Sequence, residues 1–140
     1  MSIWANELDL LKINEFNKNT LVSHLDISIT KLEDDSIEGT MPVDQRTHQP
    51  FGVLHGGASC VLAESLGSIA SNLCLDNTKF YAVGLEINAN HVRPVRDGIV
   101  RGVAQNIHLG KTTHIWDIKI YNEDDKLVCI SRLTMAVVSK

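Results

Sequence analysis

The segment 58–75 constrains the fold more than any other part of the chain. It contains no proline and keeps the 3.6-residue period of an α-helix for about four turns. It has one stripe of large apolar residues, namely Leu62, Leu66, Ile69 and Leu73. A second stripe consists of small residues, namely Ala63, Gly67, Ala70 and Cys74. A helix that is apolar or small over most of its circumference is a buried helix. The small stripe would let a sheet approach it closely.

The other segments predict that sheet. Six of them have the alternating pattern or the β-branched content of strands, namely residues 25–32, 36–42, 80–91, 98–108, 112–122 and 126–138. A short amphipathic helix is predicted at 7–17. We therefore expect an α+β fold in which a curved antiparallel sheet of about six strands wraps one long central helix. One helix cannot cover the whole sheet, so we expect self-association at the uncovered sheet or edge.

Composition restricts the function classes. The 140 residues suit a single domain spanning 1–140, with 44% hydrophobic and 21% charged residues. A net charge of -4 disfavours nucleic-acid binding. No apolar run is long enough to span a membrane and no signal peptide is evident, so we expect a cytoplasmic protein. Three cysteines and six histidines lack the spacing of a disulfide framework or a metal site.

Glu64 is the one charged residue in the central helix. Burying a carboxylate without a partner costs several kcal/mol or raises its pKa. Ser68, one turn further on, shares its face of the helix. The helix alone leaves two interpretations open: a glutamate satisfied structurally by Ser68 or a backbone amide, or a functional carboxylate.

The segment before the helix, HQPFGVLHGGA at 48–58, favours the functional interpretation. The Gly56–Gly57 pair at the helix start leaves backbone N–H groups that could stabilise an oxyanion, although a glycine pair is also an ordinary turn signal. His91 has the strand parity of Val83, Leu85, Ile87 and Ala89, which places it on the helix side. Glu64, Ser68, His55 and His91 are therefore predicted to converge near one end of the helix, although either histidine could be purely structural. Such a set suits acyl transfer.

The stretch HQPFGVLHGGASCVLAESLGS, followed by GLEINANHVRP, strongly resembles bacterial hotdog-fold acyl-CoA thioesterases. Within that family the resemblance is to the 1,4-dihydroxy-2-naphthoyl-CoA and enterobactin-pathway proofreading thioesterases. It extends from about Leu25 to the C-terminus. It implies a hotdog fold, a dimer of dimers, and hydrolysis of acyl-CoA with coenzyme A as part of the substrate and no separate cofactor.

The resemblance also implies roles for individual residues. Glu64 matches the catalytic carboxylate, which acts as nucleophile or general base, and Ser68 matches a serine that holds the water or the carboxylate. Gln49 and the Gly56 N–H match the groups that polarise the thioester carbonyl, with His55 adjoining them, and His91 matches a histidine near the sulfur. The site is expected to lie across the dimer interface, with Glu64 from one subunit and the loop 49–56 from the other.

The resemblance further implies contacts with coenzyme A. The expected residues are Gly84, His91, Val92, Arg93, Pro94, His108, Leu109, Gly110, Lys111, Thr112 and Thr113. Arg93 and Lys111 could pair with phosphates, or they could be ordinary solvated surface charges. The turn HLGKTTH and Pro94 depart from the family pattern.

Two other functions fit the same sequence. One is a hotdog acyl-CoA hydratase or dehydratase, and the other is a non-catalytic acyl-CoA-binding module. The position of Glu64 in mid-helix after the HGG loop favours hydrolysis over hydration, and a binding module would need no buried acid. The resemblance favours aromatic acyl groups, but alkyl-CoA and acyl-carrier-protein thioesters also remain open, as do menaquinone synthesis and siderophore proofreading.

Overall fold

The computed structural model describes residues 1–140 and contains three helices and six strands. The helices are α1 (Leu10–Phe16), α2 (Leu21–His24) and α3 (Gly56–Leu73). The strands are β1 (Ser28–Leu32), β2 (Ser36–Pro42), β3 (Phe80–His91), β4 (Ile99–Leu109), β5 (Thr113–Tyr121) and β6 (Leu127–Ser139). All pairings are antiparallel and the sheet order is β1-β2-β4-β5-β6-β3. The predicted α+β arrangement of one long helix and six strands is confirmed.

The sheet packs closely on α3 because glycines face its large residues. A Cβ added to Gly39 or to Gly102 would lie 2.7 Å from a methyl group of Leu66. On the other side, a Cβ added to Gly67 of the helix would collide with Leu133 of β6. Leu62 and Leu66 are fully buried, and they belong to one cluster of 22 buried apolar residues. The apolar stripe of α3 and the inner face of the sheet therefore form a single core.

The N-terminal segment differs from the prediction. Helix α1 begins at Leu10 rather than at residue 7, because the Asp9 carboxylate caps it by accepting from the N–H groups of Leu11 and Lys12. The four-residue helix α2 was not predicted. Thr20 caps it and forms a capping box with Ser23, and β1 therefore starts three residues later than expected.

The two edges of the sheet are in different states. At the β1 edge, the Asn14 side chain of α1 accepts from the N–H of Ile29 at 2.8 Å and donates to its carbonyl at 3.0 Å. The β3 edge extends for 12 residues: the Asn72 side chain of α3 accepts from the N–H of Ala82 at 2.9 Å and donates to its carbonyl at 3.1 Å, and the rest of the edge pairs with no strand other than β6. An unpaired strand of this length is a template for pairing with another chain.

A β-bulge in β3 corrects part of the predicted alternation. The register with β6 shifts between Gly84 and Glu86, so the residues on either side of the bulge follow different parities. Val83 and Leu85 are 43% and 64% exposed instead of facing the helix. Ile87, Ala89 and His91 keep the expected face, since they pair with the buried residues Leu133, Ser131 and Cys129.

No helix of the protein is both long and apolar enough to span a bilayer.

Candidate active site

Glu64 lies in the third turn of α3 with its carboxylate against β3. A Cβ on Gly84 would collide with Oε2 of this carboxylate, so glycine at position 84 lets the carboxylate lie directly against the strand. Glu64 makes no hydrogen bond or ion pair within the chain, and its side chain is partly exposed rather than buried as the sequence suggested. Neither Ser68 nor a backbone amide satisfies the carboxylate, contrary to the structural interpretation left open above.

Glu64 opens into a depression of about 460 Å³, called here the Glu64 cavity. It is lined by Asn17, Leu21, Val22, Cys60, Val61, Glu64, Ser65, Ser68 and Ile69. Ser68 lies one turn after Glu64, as predicted, and its hydroxyl has no partner in the chain. Burial, and then the nearby Glu64 charge, raise the pKa of the Cys60 thiol above its usual value. Cys60 therefore stays a neutral thiol and is a poor nucleophile.

The walls supplied by Asn17, Leu21 and Val22 were missed in the sequence analysis. They belong to the end of α1 and to α2, and α2 is too short to show a helical period. Its available signal was the Thr20–Ser23 capping pair.

The N-terminus of α3 is capped by His55 in a way that leaves one donor free. The Nδ1 atom of His55 accepts from the Gly57 N–H at 2.7 Å, and its carbonyl accepts from the N–H groups of Ala58 and Ser59. The Gly56 N–H has no acceptor in the chain. It stands at the positive end of an 18-residue helix, so it is available to an anionic oxygen.

Gln49 is held so that its amide NH₂ is also available. The loop closes with the Gln49 N–H donating to the Val53 carbonyl and the Gly52 N–H donating to the Gln49 carbonyl, each at 2.9 Å. The side-chain Oε1 of Gln49 accepts from the Phe51 N–H. Because that oxygen is engaged, the Nε2 group makes no hydrogen bond within the chain and can donate to a bound carbonyl.

His91 lies next to the free Gly56 N–H. A Cβ on Gly56 would lie 2.8 Å from Nε2 of His91, so glycine is needed at position 56 for the ring to approach. A second depression of about 350 Å³ lies here, called the His91 pocket. Its lining includes Gln49, Gly56, His91, Val92, Arg93 and Pro94.

The predicted convergence of all these residues does not occur within one chain. Glu64 and Ser68 line the Glu64 cavity, whereas Gln49, Gly56 and His91 line the His91 pocket. Eight residues of helix separate Gly56 from Glu64, which corresponds to about 12 Å. His55 reaches neither depression and instead caps the helix. The chain therefore contains two half-sites, one with the carboxylate and one with the hydrogen-bond donors.

The predicted coenzyme A contacts are divided in the same way. The segment 91–94 borders Cys129 at one end of β6, and Arg93 donates through Nε to the Leu127 carbonyl at 3.2 Å. The turn 108–113 borders Ala136 at the other end of β6, near Gly84. Seven residues of strand separate the two ends, or about 23 Å. One chain therefore does not bring the two segments together.

The region that contains these residues matches a known family. The Thioesterase superfamily matches residues 51–129. The chain is 51% identical to 1,4-dihydroxy-2-naphthoyl-CoA hydrolase of Escherichia coli, with 97% of this chain and 99% of that protein covered. It is also 51% identical to the proofreading thioesterase EntH of Cronobacter turicensis, with 97% and 98% covered.

A solved structure agrees with this match along the whole chain. Thioesterase PA1618 of Pseudomonas aeruginosa, crystallised as its Q49A variant, superposes with a TM-score of 0.98 at 55% identity. The alignment covers 99% of this chain and all of that one. The chain therefore belongs to the Thioesterase superfamily, and it is a thioester-hydrolysing enzyme with the hotdog fold.

Proposed function

We propose that the protein hydrolyses acyl-CoA, with an aromatic acyl group preferred, to the free acid and coenzyme A. The observation that carries this proposal is the unpaired carboxylate of Glu64 at the wall of the Glu64 cavity. A partly buried carboxylate without a partner has a desolvation cost that no contact within the chain offsets, and such groups are concentrated at functional sites. The names of the Escherichia coli and Cronobacter relatives support a thioester substrate, and the former supports an aromatic one.

The carbonyl of the thioester is polarised by two donors. As a nucleophile adds, the carbonyl oxygen gains negative charge, which the Gly56 N–H and the Gln49 amide meet. Both groups lack an acceptor in the chain and border the same pocket. Removing one such donor typically costs about 10²–10³ in rate. His91, beside Gly56, is positioned to face the sulfur and the leaving thiol.

Glu64 starts the reaction by one of two routes. As general base it takes a proton from water, whose oxygen bonds to the carbonyl carbon. As nucleophile it forms an acyl anhydride that water then opens. In both routes the C–S bond breaks, the thiolate takes up a proton, and the carboxylic acid leaves. Ser68, one turn from Glu64 with a free hydroxyl, is suited to hold the water or the carboxylate.

Two chains form each complete site in this proposal. The β3 edge suits antiparallel pairing with its copy, since it continues for nine residues beyond Ala82, where Asn72 bonds it, whereas the five-residue β1 edge is bonded by Asn14 at Ile29. Antiparallel pairing reverses the strand, so the Glu64 half-site of one chain faces the His91 half-site of the other. The same reversal brings segment 91–94 of one chain towards turn 108–113 of its partner. Both segments could then contact one coenzyme A, and two such dimers could pair further into a tetramer.

The first experiment measures thiol release from a panel of benzoyl-, hydroxyphenylacyl-, naphthoyl- and straight-chain acyl-CoAs. Wild type is compared with Glu64→Gln and with Glu7→Gln, a control at an exposed ion pair of Lys12. We expect release by wild type and the control and almost none by Glu64→Gln. Wild-type-like turnover by Glu64→Gln would refute the role of Glu64, and preference for alkyl groups would refute the aromatic assignment.

A second experiment tests the shared site. Glu64→Gln and Gln49→Ala proteins, each of low activity, are unfolded together, refolded and assayed. Random pairing leaves one intact site in each mixed dimer, so about a quarter of wild-type activity should return. If the mixture is no more active than the two variants assayed separately, the site does not lie across a dimer interface.

A further inference from the structure

A larger depression adjoins the Glu64 cavity and is not used by the proposed chemistry. This distal cavity has a volume of about 650 Å³ and lies between α1, the second half of α3 and the start of β3. Its lining is Lys12, Ile13, Phe16, Asn17, Ser68, Ile69, Asn72, Leu73, Asn77, Tyr81 and Lys140. It shares Asn17, Ser68 and Ile69 with the Glu64 cavity. The two cavities thus meet at these three side chains.

The boundary formed by these shared residues, called here the passage, lies one helical turn beyond Glu64. Ser68 and Asn72 follow Glu64 at successive turns of α3, so from Glu64 onwards the two cavities extend about 12 Å along the helix. Near Glu64 the walls are mostly apolar, including Leu21, Val22 and Val61. At the far end they are more polar, including Asn77, Tyr81 and Lys140. A short acyl group attacked at Glu64 would leave the distal cavity unfilled.

Asn17 is the side chain in the passage that α1 supplies. It is the C-cap residue of α1, and its Nδ2 group donates to the Ile13 carbonyl at 3.0 Å. That bond fixes the amide against its own helix. Its backbone is in the right-handed helical region at φ -85°, so other residues can be placed there without strain. Because Asn17 lines both cavities, a larger side chain at this position would narrow the boundary between them.

We propose that the acyl group of the preferred substrate extends through this passage into the distal cavity, and that Asn17 is a specificity-determining residue for acyl length. This inference rests on the proposed function, because it takes the acyl group to start at Glu64. The substrate class is an elongated apolar acyl group, either several methylenes beyond the carbonyl or more than one ring deep, whose far end meets the polar mouth.

The test measures binding without turnover. A series of S-alkyl-CoA thioethers, which cannot be hydrolysed, is titrated from two to twelve carbons. Burial of each methylene should strengthen binding about fourfold while the passage and distal cavity accept the chain. Because only binding is read, a failure of the thioesterase assay with normal length dependence would overturn the proposed function and leave this inference intact.

Two substitutions locate the passage. Asn17→Phe narrows it and should reduce the ratio of long-chain to short-chain affinity by tenfold or more. Asn17→Ala widens it and should not reduce that ratio. Lys18→Phe, a control one residue on with a side chain 66% exposed, should leave the ratio unchanged. Thermal unfolding of each variant is measured in parallel to identify a folding defect. If one variant is misfolded, the affinity ratios of the remaining variants test the inference.

The inference is overturned by either of two results. One is that affinity stops rising at a chain length that the Glu64 cavity alone holds. The other is that Asn17→Phe lowers the affinity for short and long chains by the same factor. A steady rise in affinity, broken selectively by Asn17→Phe, is the expected outcome.

Discussion

Gly84→Ala should separate catalysis from stability. The added Cβ would overlap Oε2 of Glu64 and lie 3.2 Å from its Cδ. The backbone at Gly84 does not have a positive φ, so alanine fits the strand conformation itself. The overlap must therefore be relieved by moving the end of the Glu64 side chain, because the carboxylate is its flexible end.

The two effects have different sizes. Turning one flexible side chain off its preferred rotamer costs about 0.5–1.5 kcal/mol, and replacing glycine by alanine returns about 0.4–1 kcal/mol through the unfolded state. Stability should therefore change by less than about 1 kcal/mol. Displacing a catalytic group by about 1 Å can cost on the order of 10²-fold in rate. We expect kcat to fall by that order while the melting temperature hardly moves.

Gly102→Ala is the matched control. Its Cβ would lie 2.7 Å from Leu66 Cδ1 and 3.3 Å from Leu62 Cδ2, two fully buried side chains on the face of α3 opposite Glu64. Overpacking a core typically costs about 1–3 kcal/mol. This variant should lose several degrees of melting temperature and keep its activity per folded molecule. The reasoning is refuted if Gly84→Ala retains full kcat, or if both variants lose stability and activity together.

Three further outcomes are expected. Burial, and then the His108 charge, lower the pKa of His114, so the folded protein favours the neutral ring. The free energy of unfolding should therefore be highest above about pH 6.5 and should decline below it. Urea titrations from pH 5 to 8 should show a smaller decline for His114→Phe. The buried indole N–H of Trp116 donates to Ser71 Oγ at 2.7 Å, and Ser71→Ala leaves it without a partner. Chemical denaturation should show a loss of about 1–3 kcal/mol in stability for Ser71→Ala and little change for the control Ser65→Ala. Leu85→Arg, an exposed position on β3, should shift the protein to a smaller species in sedimentation and lower its activity. Leu11→Arg, an exposed position on α1, should change neither. An unchanged sedimenting species for Leu85→Arg would contradict pairing through β3.

The fold was predictable because its periodic signals are long. The helical period of α3 extends over 18 residues, and each predicted strand lies within three residues of an observed one. The bulge after Gly84 was not predictable, since nothing in an alternating apolar strand marks where its register shifts. It moved Val83 and Leu85 to the exposed face, while His91, beyond the bulge, kept the predicted side.

The residue pattern alone pointed to the candidate site residues but not to their grouping, and the expectation of a site shared between two chains came from the family resemblance. Glu64 was conspicuous as a charge in an apolar helix, and Gly56 as a glycine at its start. Their separation of about 12 Å along the helix follows from helical rise and agrees with their placement in two different depressions. The role of Gly84 was not visible in the sequence, because its contact with Glu64 depends on how closely β3 approaches α3.

The wall that α1 and α2 contribute to the Glu64 cavity has a consequence for how such enzymes diversify. Asn17, Leu21 and Val22 precede residue 51, where the family match begins, whereas Glu64, Gly84 and His91 lie inside it. In the proposed binding mode, one wall of the acyl cavity is thus encoded upstream of the residues proposed to break the thioester bond. Exchanging the codons for residues 10–24 between related enzymes should alter substrate range without replacing the reacting groups, so new specificities can arise by recombination upstream of those groups.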